Sequence, residues 1–587
     1  MDIVSCKFDS SIAETGRSVK MLDGARASKS AGRLSTFVLI TWLLSVGLFP
    51  YMFSGFPIGT EDADFHVRLT DQYAQNSTIQ GTQDHLRGTV SKDFSGTPPG
   101  LYVLGVSLAK LSGLGSLDAS TVVSFLVFFA IMVGVFAVAM RLSANNRGHA
   151  ALVTLAVITI PAAYLHYFQY ATSNVAMVFF LGLVLSILSL GGRIVGNAIS
   201  LTLMLSIAFS HVGTFVFLLL FLPLLAFATA VLSPRRKGDL YGRSLLAGAG
   251  PFVYVAYATV FPYSQDAFLT RFLVSVETRV HSIMGNLVDP ILEIFYRLFE
   301  SNSLEAALGI GVASAGLALL VGWIGPLIGN FGLGGVRARW RTALQVFPFP
   351  VGLPAYLERN IVYLVLLLGP IQMATALFAW RAILPREDRA TLVSLGGVGF
   401  LSGLAAVGSN VSNPREFTFV WLFIGWAGGT GMYLLLFGRT RMLRRTKRLF
   451  GVASVLGLFG STAVAGLIYL PSISVLPAEA ETAVWISTSI ESNTTVLVPN
   501  FGAHLGNRNA AFTVPSDSLV LWNSASTDLY RGYPNSKKTL VEWFDTLYAV
   551  HSDKVARISG IAGDPEDSRS YVIYAMAGEH LRVFYIL

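Results

Sequence analysis

The feature that most constrains this fold is a run of 37 residues, 197–233, that contains no Asp, Glu, Lys or Arg. A helix crosses the hydrocarbon core of a bilayer with about 20 residues. The run is therefore too long for one crossing and predicts two, separated by a turn at residues 210–213. Each crossing is expected to be an α-helix, because backbone polar groups in lipid must be paired within the segment.

Similar uncharged runs recur along the chain, and only 13% of its residues are charged. Soluble domains contain about 25% charged residues, so this composition is typical of a polytopic membrane protein. A further segment, 342–357, is short and contains three prolines, and we count it as a crossing. The total is then 13 crossings, at 34–53, 119–140, 149–165, 174–190, the two halves of 197–233, 244–262, 306–329, 342–357, 360–380, 391–408, 417–437 and 449–470.

Charge distribution predicts the orientation. With the N-terminus inside, the inside segments hold 25 of the 42 Lys and Arg residues but only 7 of the 34 acidic ones. Cytoplasmic loops of membrane proteins carry this excess of basic residues. Without a crossing at 342–357, the basic segment 438–448 would lie outside. The clustering of the basic residues between apolar runs also argues against a nucleic-acid partner and for contact with membrane lipids.

The predicted fold is mainly α: a polytopic membrane protein of about 13 helices with a small C-terminal α/β domain. Residues 1–33 form a basic, disordered cytoplasmic N-terminus, and residues 34–470 form the transmembrane domain with external loops at 54–118 and 263–303. Residues 471–587 form the extracytoplasmic domain, with strand-like runs at 496–499, 519–522, 571–575 and 581–587. Residues 101–114 predict an amphipathic or juxtamembrane helix.

An acidic block opens the first external loop, with Glu61, Asp62, Asp64 and His66 in sequence. Carboxylates at a membrane surface are costly to desolvate unless they hold a cation, a proton or a substrate. These residues could bind a divalent cation or act as a general base toward a hydroxyl group. The alternative interpretation is a solvated acidic turn that caps a helix. His66 follows Asp62 by four residues and would share its face of a helix.

Two motifs in this loop resemble motifs of the GT-C superfamily of integral membrane glycosyltransferases. One is the Asp-Ala-Asp-Phe-His pattern at 62–66, and the other is Thr-Pro-Pro-Gly-Leu-Tyr at 97–102. The second motif is similar to a His-Pro-Pro-Leu segment in the lipid A aminoarabinose and protein mannosyl transferase branches, with Thr for His and an inserted Gly. The resemblance implies a sugar donor linked to polyprenyl phosphate and a glycan, lipid or protein acceptor in the cell envelope. It implies Asp62 as the base, and Asp62 and Asp64 as possible ligands of Mg or Mn.

The phosphate of such a donor needs a positive or hydrogen-bonding partner. Arg415, at the outer mouth of span 417–437, is one candidate, since Arg can bind phosphate with two parallel hydrogen bonds. Arg359 and His211 are the others. The alternatives are interfacial anchors paired with Glu416 or Glu358, and a locally hydrogen-bonded histidine.

Weaker candidates complete the site hypothesis. Lys92 and Asp93 could help close the first loop over substrate, although a surface ion pair is the alternative. Polar side chains also surround the external turn 166–173, where aromatic and His residues are typical of the interfacial belt; they are Tyr164, His166, Gln169 and Asn174.

Two further functions are weighed against glycosyl transfer. A non-catalytic scaffold that presents the C-terminal domain is the main alternative, and a lipid or solute transporter is disfavoured because the uncharged runs contain no ionisable residue at mid-bilayer depth. Oligosaccharyltransferases carry a Trp-Trp-Asp-Tyr-Gly motif in their C-terminal domain. The corresponding residues 499–502 are Pro-Asn-Phe-Gly, so sequon-directed N-glycosylation is not expected.

Overall fold

The computed structural model describes residues 56–57, 66–67, 69–70, 73–74, 98–143, 145–232, 237–260, 298, 303–330, 369–379, 389–408, 418–437 and 444–475, and five strands beyond them. The segments 1–53, 263–297 and 342–357 lie outside the described residues, and so do the predictions made for them. The described helices are α1 (Gly100–Ser112), α2 (Ser116–Leu142), α3 (Arg147–Ile158), α4 (Pro161–Tyr167), α5 (Thr172–Leu190), α6 (Ile194–Ser210), α7 (Val212–Leu232), α8 (Lys237–Val260), α9 (Leu304–Asn330), α10 (Pro370–Ala379), α11 (Arg389–Gly408), α12 (Thr418–Phe437) and α13 (Arg444–Ile473).

Five of these helices contain segments long and apolar enough to cross a membrane: Asp118–Leu142, Thr172–Leu190, Val212–Leu232, Leu304–Trp323 and Thr418–Phe437. Each coincides with a span predicted from the sequence. The remaining predicted spans that the structure describes are helical as well, wholly or in part. The length and composition of these helices confirm the prediction of a helical, polytopic membrane protein. The predicted helix at 101–114 is also confirmed, as α1.

The uncharged run 197–233 divides where the sequence predicts. Helix α6 ends at Ser210 and α7 begins at Val212, while His211 between them has extended backbone angles (φ −161°, ψ 115°). The His211 side chain accepts a hydrogen bond from the backbone N–H of Thr214 at 3.0 Å. This bond satisfies one of the free N–H groups at the start of α7, as an N-cap does.

The predicted span 149–165 is not one helix. Helix α3 ends at Ile158 and α4 starts at Pro161. Proline has no N–H to donate to the preceding turn, and it disfavours helical angles in the residue before it. Ile160 accordingly has extended angles (φ −64°, ψ 119°). The break separates α3 from the short helix α4.

Helix α12 is largely buried and packs against α3 and α10. The approach to α3 is close: a Cβ built on Gly429 would lie 2.7 Å from the backbone oxygen of Leu152. Small residues allow this backbone contact between membrane helices, and such contacts are where packing stabilises a bundle most.

Helix α8 begins earlier than the sequence predicts, at Lys237. Arg243, one residue before the predicted span 244–262, lies on this helix and is buried, and its Nη1 donates to Thr229 Oγ1 of α7 at 2.7 Å. A buried guanidinium group is tolerated only where hydrogen bonds replace its hydration.

Two small sheets are described. Strand β1 (Phe56–Pro57) pairs antiparallel with β2 (Ser474–Val475), which joins residues shortly before the acidic block to the residues that follow α13. The second sheet has the order β4-β3-β5-β7-β6. Its strands are β3 (Thr495–Leu497), β4 (Val520–Leu521), β5 (Leu547–Ser552), β6 (Ser570–Met576) and β7 (Leu581–Ile586). Four of them coincide with predicted strands, and β5 was not predicted.

Candidate functional site

Most of the sequence-predicted site residues lie outside the described residues. They are Glu61, Asp62, Asp64, Lys92, Asp93, Arg359 and Arg415. His66 and His211 are described, and their surroundings show which elements meet around them.

His66 is helical and buried, with 5% of its surface exposed. Its Nδ1 lies 2.7 Å from the hydroxyl oxygen of Tyr102, 36 residues further along the chain. The ring of Tyr102 is stacked on that of Tyr73, with centroids 5.2 Å apart. Tyr102 ends the Thr-Pro-Pro-Gly-Leu-Tyr motif and His66 ends the Asp-Ala-Asp-Phe-His motif, so the structure brings together the last residue of each motif.

A second contact ties the same segment to the turn between α4 and α5. Thr70 Oγ1 lies 2.8 Å from the Tyr170 hydroxyl oxygen, and that hydroxyl also donates to the backbone oxygen of Leu101 at 3.4 Å. Gly105 allows this arrangement, because a Cβ there would meet the Tyr170 hydroxyl group and Thr70. Burial raises the pKa of Tyr170 to about 12, so it remains a neutral hydroxyl group.

His211 is partly exposed and lies between α6 and α7. Its Nδ1 is engaged by Thr214, with the backbone N–H at 3.0 Å and Oγ1 at 2.9 Å. Burial lowers the pKa of His211 to about 4. Near pH 7 this side chain is therefore a neutral hydrogen-bonding group.

Three histidines from separate parts of the chain interact electrostatically. Burial, and to a smaller extent charge on His211, lowers the pKa of both His66 and His166 to about 3. Because His211 affects both, its imidazole is within electrostatic range of each. These residues, called the histidine cluster, come from the segment before α1, the end of α4 and the α6–α7 junction.

The turn between α4 and α5 is closed by its own side chains. The Asn174 amide nitrogen donates to the backbone oxygens of His166 at 2.7 Å and Gln169 at 2.9 Å. His166 Nε2 lies 3.3 Å from Ser173 Oγ. Tyr164 is buried one turn earlier and packs edge-on against Phe168.

The sequence reasoning assigned no role to Thr70, Tyr102, Tyr170 or Trp421. Thr70 carries one usable signal, since it follows His66 by four residues and so shares its face of a helix. Trp421 lies in the first turn of α12, with its ring centroid 5.7 Å from that of His166. Contacts between such distant residues leave no trace in periodicity or spacing.

Within the described segments, no group of three His, Cys, Asp or Glu side chains is arranged to hold a metal ion. The histidine cluster thus does not by itself form a metal centre. The metal ligands suggested by the resemblance, Asp62 and Asp64, lie outside those segments.

Comparison with known proteins establishes the fold. Neither a protein-family model nor a curated protein matches the sequence. The oligosaccharyltransferase of Archaeoglobus fulgidus, solved in complex with Zn and sulfate, is similar with a TM-score of 0.53 and 12% identity, over 87% of this chain and 67% of that chain. This likeness shows that the chain shares its fold with that membrane-embedded oligosaccharyltransferase, which agrees with the resemblance stated from the two loop motifs.

Two structures of ArnT from Cupriavidus metallidurans are similar at lower TM-scores. The complex with undecaprenyl phosphate has a TM-score of 0.37 and 13% identity, over 94% of this chain and 97% of that chain. The apo form has a TM-score of 0.36 and 14% identity, over 95% and 98%.

Proposed function

We propose that this protein is a membrane glycosyltransferase that moves a sugar from a polyprenyl-phosphate-linked donor to a glycan, lipid or protein acceptor on the extracytoplasmic face. The observation that carries the proposal is the contact between His66 and Tyr102, within a GT-C fold. This contact joins the two motifs on which the resemblance rests, beside the outer ends of α4 to α7. Neither a scaffold nor a transporter requires these motifs to meet.

In this proposal Asp62 deprotonates or orients the acceptor hydroxyl group. Asp64 precedes His66 by two residues, so chain length alone keeps the two Cα atoms within about 7 Å. The acidic block is therefore tethered to the histidine cluster. Asp62 and Asp64 are also the proposed ligands of a divalent cation, with Glu61 beside them. Lys92 and Asp93 are proposed to close the loop over the substrate.

The donor phosphate is assigned to Arg415, with Arg359 and His211 as further partners. Arg415 precedes Thr418 by three residues, which keeps its Cα within about 11 Å of the start of α12. The first turn of α12 contains Trp421, which contacts His166. Arg415 can therefore reach the same end of the bundle as the acidic block, and His211 would contribute a neutral hydrogen bond.

The proposed topology has 13 crossings, a cytoplasmic N-terminus and an extracytoplasmic α/β domain at 471–587. The pairing of β1 with β2 supports it, because it requires the start of the first external loop and the residues after α13 to lie on the same side. The five-stranded sheet supports the domain.

Transfer assays with the variants Asp62→Asn and Asp64→Asn test the proposal. The full chain in lipid nanodiscs is incubated with undecaprenyl phosphate carrying arabinose, mannose, glucose or galactose, and with membranes from cells that lack the protein. General-base catalysis contributes about 10²- to 10⁴-fold, so Asp62→Asn should reduce transfer by that factor. Asp118→Asn is the matched control, since Asp118 is an exposed carboxylate at the start of α2.

Full activity in both variants would refute the assignment of the acidic block. A folded wild-type protein that transfers no sugar from any of the four donors would refute the function itself.

A further inference from the structure

The end of α4 and the start of α5 hold three buried polar atoms that nothing in the described part of the chain satisfies. They are Nδ1 of His166, the hydroxyl oxygen of Tyr167 and Oδ1 of Asn174. The three residues are 1%, 0% and 1% exposed, or 99–100% buried. An unsatisfied buried polar group costs about 1–3 kcal/mol, and roughly 90% or more of such groups in native proteins are paired. Three within nine residues therefore indicate a place where another molecule supplies the partners.

Surrounding contacts hold these groups in place. The Asn174 amide nitrogen already donates to two backbone oxygens, which fixes Oδ1 as the acceptor that is left over. The rings of His166 and Tyr167 lie 6.0 Å apart, and both contact Trp421, with centroid distances of 5.7 and 5.9 Å. The unsatisfied atoms thus belong to one rigid group at the outer end of the bundle.

The chemistry of the group selects the class of ligand. All three side chains are neutral near pH 7, and together they offer both hydrogen-bond donors and acceptors. A phosphate group would call for Arg or Lys, and an acyl chain would call for no polar atoms at all. A ring that carries several hydroxyl groups matches the mixture, because each hydroxyl both donates and accepts.

We infer that His166, Tyr167 and Asn174 form a subsite that binds the hydroxyl groups of a sugar. The inference rests on the proposed glycosyl transfer and deepens it, by separating a sugar-binding turn from the acidic block and from the phosphate-binding cations. The sugar belongs either to the lipid-linked donor or to a glycan acceptor, and both present the same hydroxyl chemistry.

The variant Tyr167→Phe tests the subsite, because it removes the hydroxyl group alone and keeps the ring against Trp421. Its unfolding temperature in nanodiscs should be unchanged or higher, since the lost hydroxyl group has no partner in the described fold. Binding is measured for undecaprenyl phosphate with and without arabinose, mannose, glucose or galactose, and for free oligosaccharides of the same sugars. Affinity for the sugar-bearing probe should fall about 2- to 10-fold, the value of one hydrogen bond, while affinity for bare undecaprenyl phosphate should not change.

Tyr433→Phe is the matched control. The Tyr433 hydroxyl group accepts a hydrogen bond from Asn146 at 2.8 Å, at the opposite end of α12. This variant should lower the unfolding temperature and leave every sugar affinity unchanged. A loss confined to free oligosaccharides in Tyr167→Phe would support the subsite and assign it to the acceptor.

An unchanged affinity for all sugar-bearing probes in Tyr167→Phe would overturn the inference. If the wild type binds bare undecaprenyl phosphate, gains no affinity from the attached sugar and binds none of the free oligosaccharides, the inference fails while the proposed donor class stands. If the wild type binds neither lipid, the proposed function fails with it.

Discussion

The hydrogen bond between His66 and Tyr102 can be tested by removing a single oxygen atom with Tyr102→Phe. The bond is 2.7 Å long and both side chains are buried, while the stack of Tyr102 on Tyr73 is retained in the variant. A buried group that loses its partner costs about 1–3 kcal/mol. We expect this cost to fall on the first-loop residues 66–74, because the bond is one of the contacts that hold them against α1.

Hydrogen–deuterium exchange in lipid nanodiscs measures the effect directly, since exchange reports local opening. A loss of about 1–3 kcal/mol raises the open population, and with it the exchange rate of amides in 66–74, about 5- to 150-fold. Tyr241→Phe is the control, because that ring is 44% exposed on α8. The kcat of sugar transfer should fall by a larger factor than KM changes, since the tether of the acidic block is loosened.

A double-mutant cycle separates the hydrogen bond from other effects of the substitution. In a His66→Phe background the further change Tyr102→Phe should accelerate exchange much less than it does in the wild type. Equal exchange in wild type and Tyr102→Phe would refute the reasoning, and so would an equal acceleration in Tyr241→Phe.

Two further predictions concern pH and packing. The pKa of both His66 and His166 is about 3 in the folded protein against 6.5 in an unfolded chain, so the unfolded state binds more protons between those values. The unfolding temperature should therefore fall as pH drops below 6.5, with each histidine contributing about 1.4 kcal/mol per pH unit. Gly429→Ala should lower the unfolding temperature at every pH, because a methyl group there meets the α3 backbone at 2.7 Å and overpacking costs about 1–3 kcal/mol.

Each of these two predictions has its own control variant. The pH profile should flatten when both histidines are replaced by Gln, and an unchanged slope would contradict the assignment of the proton uptake to them. For the glycine, Gly460→Ala on α13 adds the same methyl group with nothing within 4 Å. A similar loss in both alanine variants would show that the contact with α3 is not the cause.

Several elements could be predicted because their cause is local in the chain. The junction at His211 follows from a run too long for one crossing, with a capping side chain at its middle. The sequence predicted one helix over 149–165, although Pro161 carries the signal for the break that the structure shows. Strand β5 was missed, and its six residues pair with β3 and β7, which are distant in sequence.

The residues of the candidate site also divide into those that the sequence could predict and those that it could not. His66 and His211 could be selected as residues, because a histidine beside carboxylates or within an uncharged run stands out. Their partners could not be selected, since Tyr102 and Tyr170 are two aromatic residues among many near a membrane interface. The unsatisfied atoms of the turn at 166–174 are visible only once the neighbouring helices are packed around it.

By itself, the sequence determined the helical membrane class, most of the helices that the structure describes and the division of the run 197–233, because the apolar length that causes them is a local property of the chain. Tertiary structure alone decided which side chains meet: His66 with Tyr102 across 36 residues, and Thr70 with Tyr170 across 100. The physical reason is that burial and hydrogen bonding between distant segments depend on how helices pack, and a linear pattern carries no record of that packing.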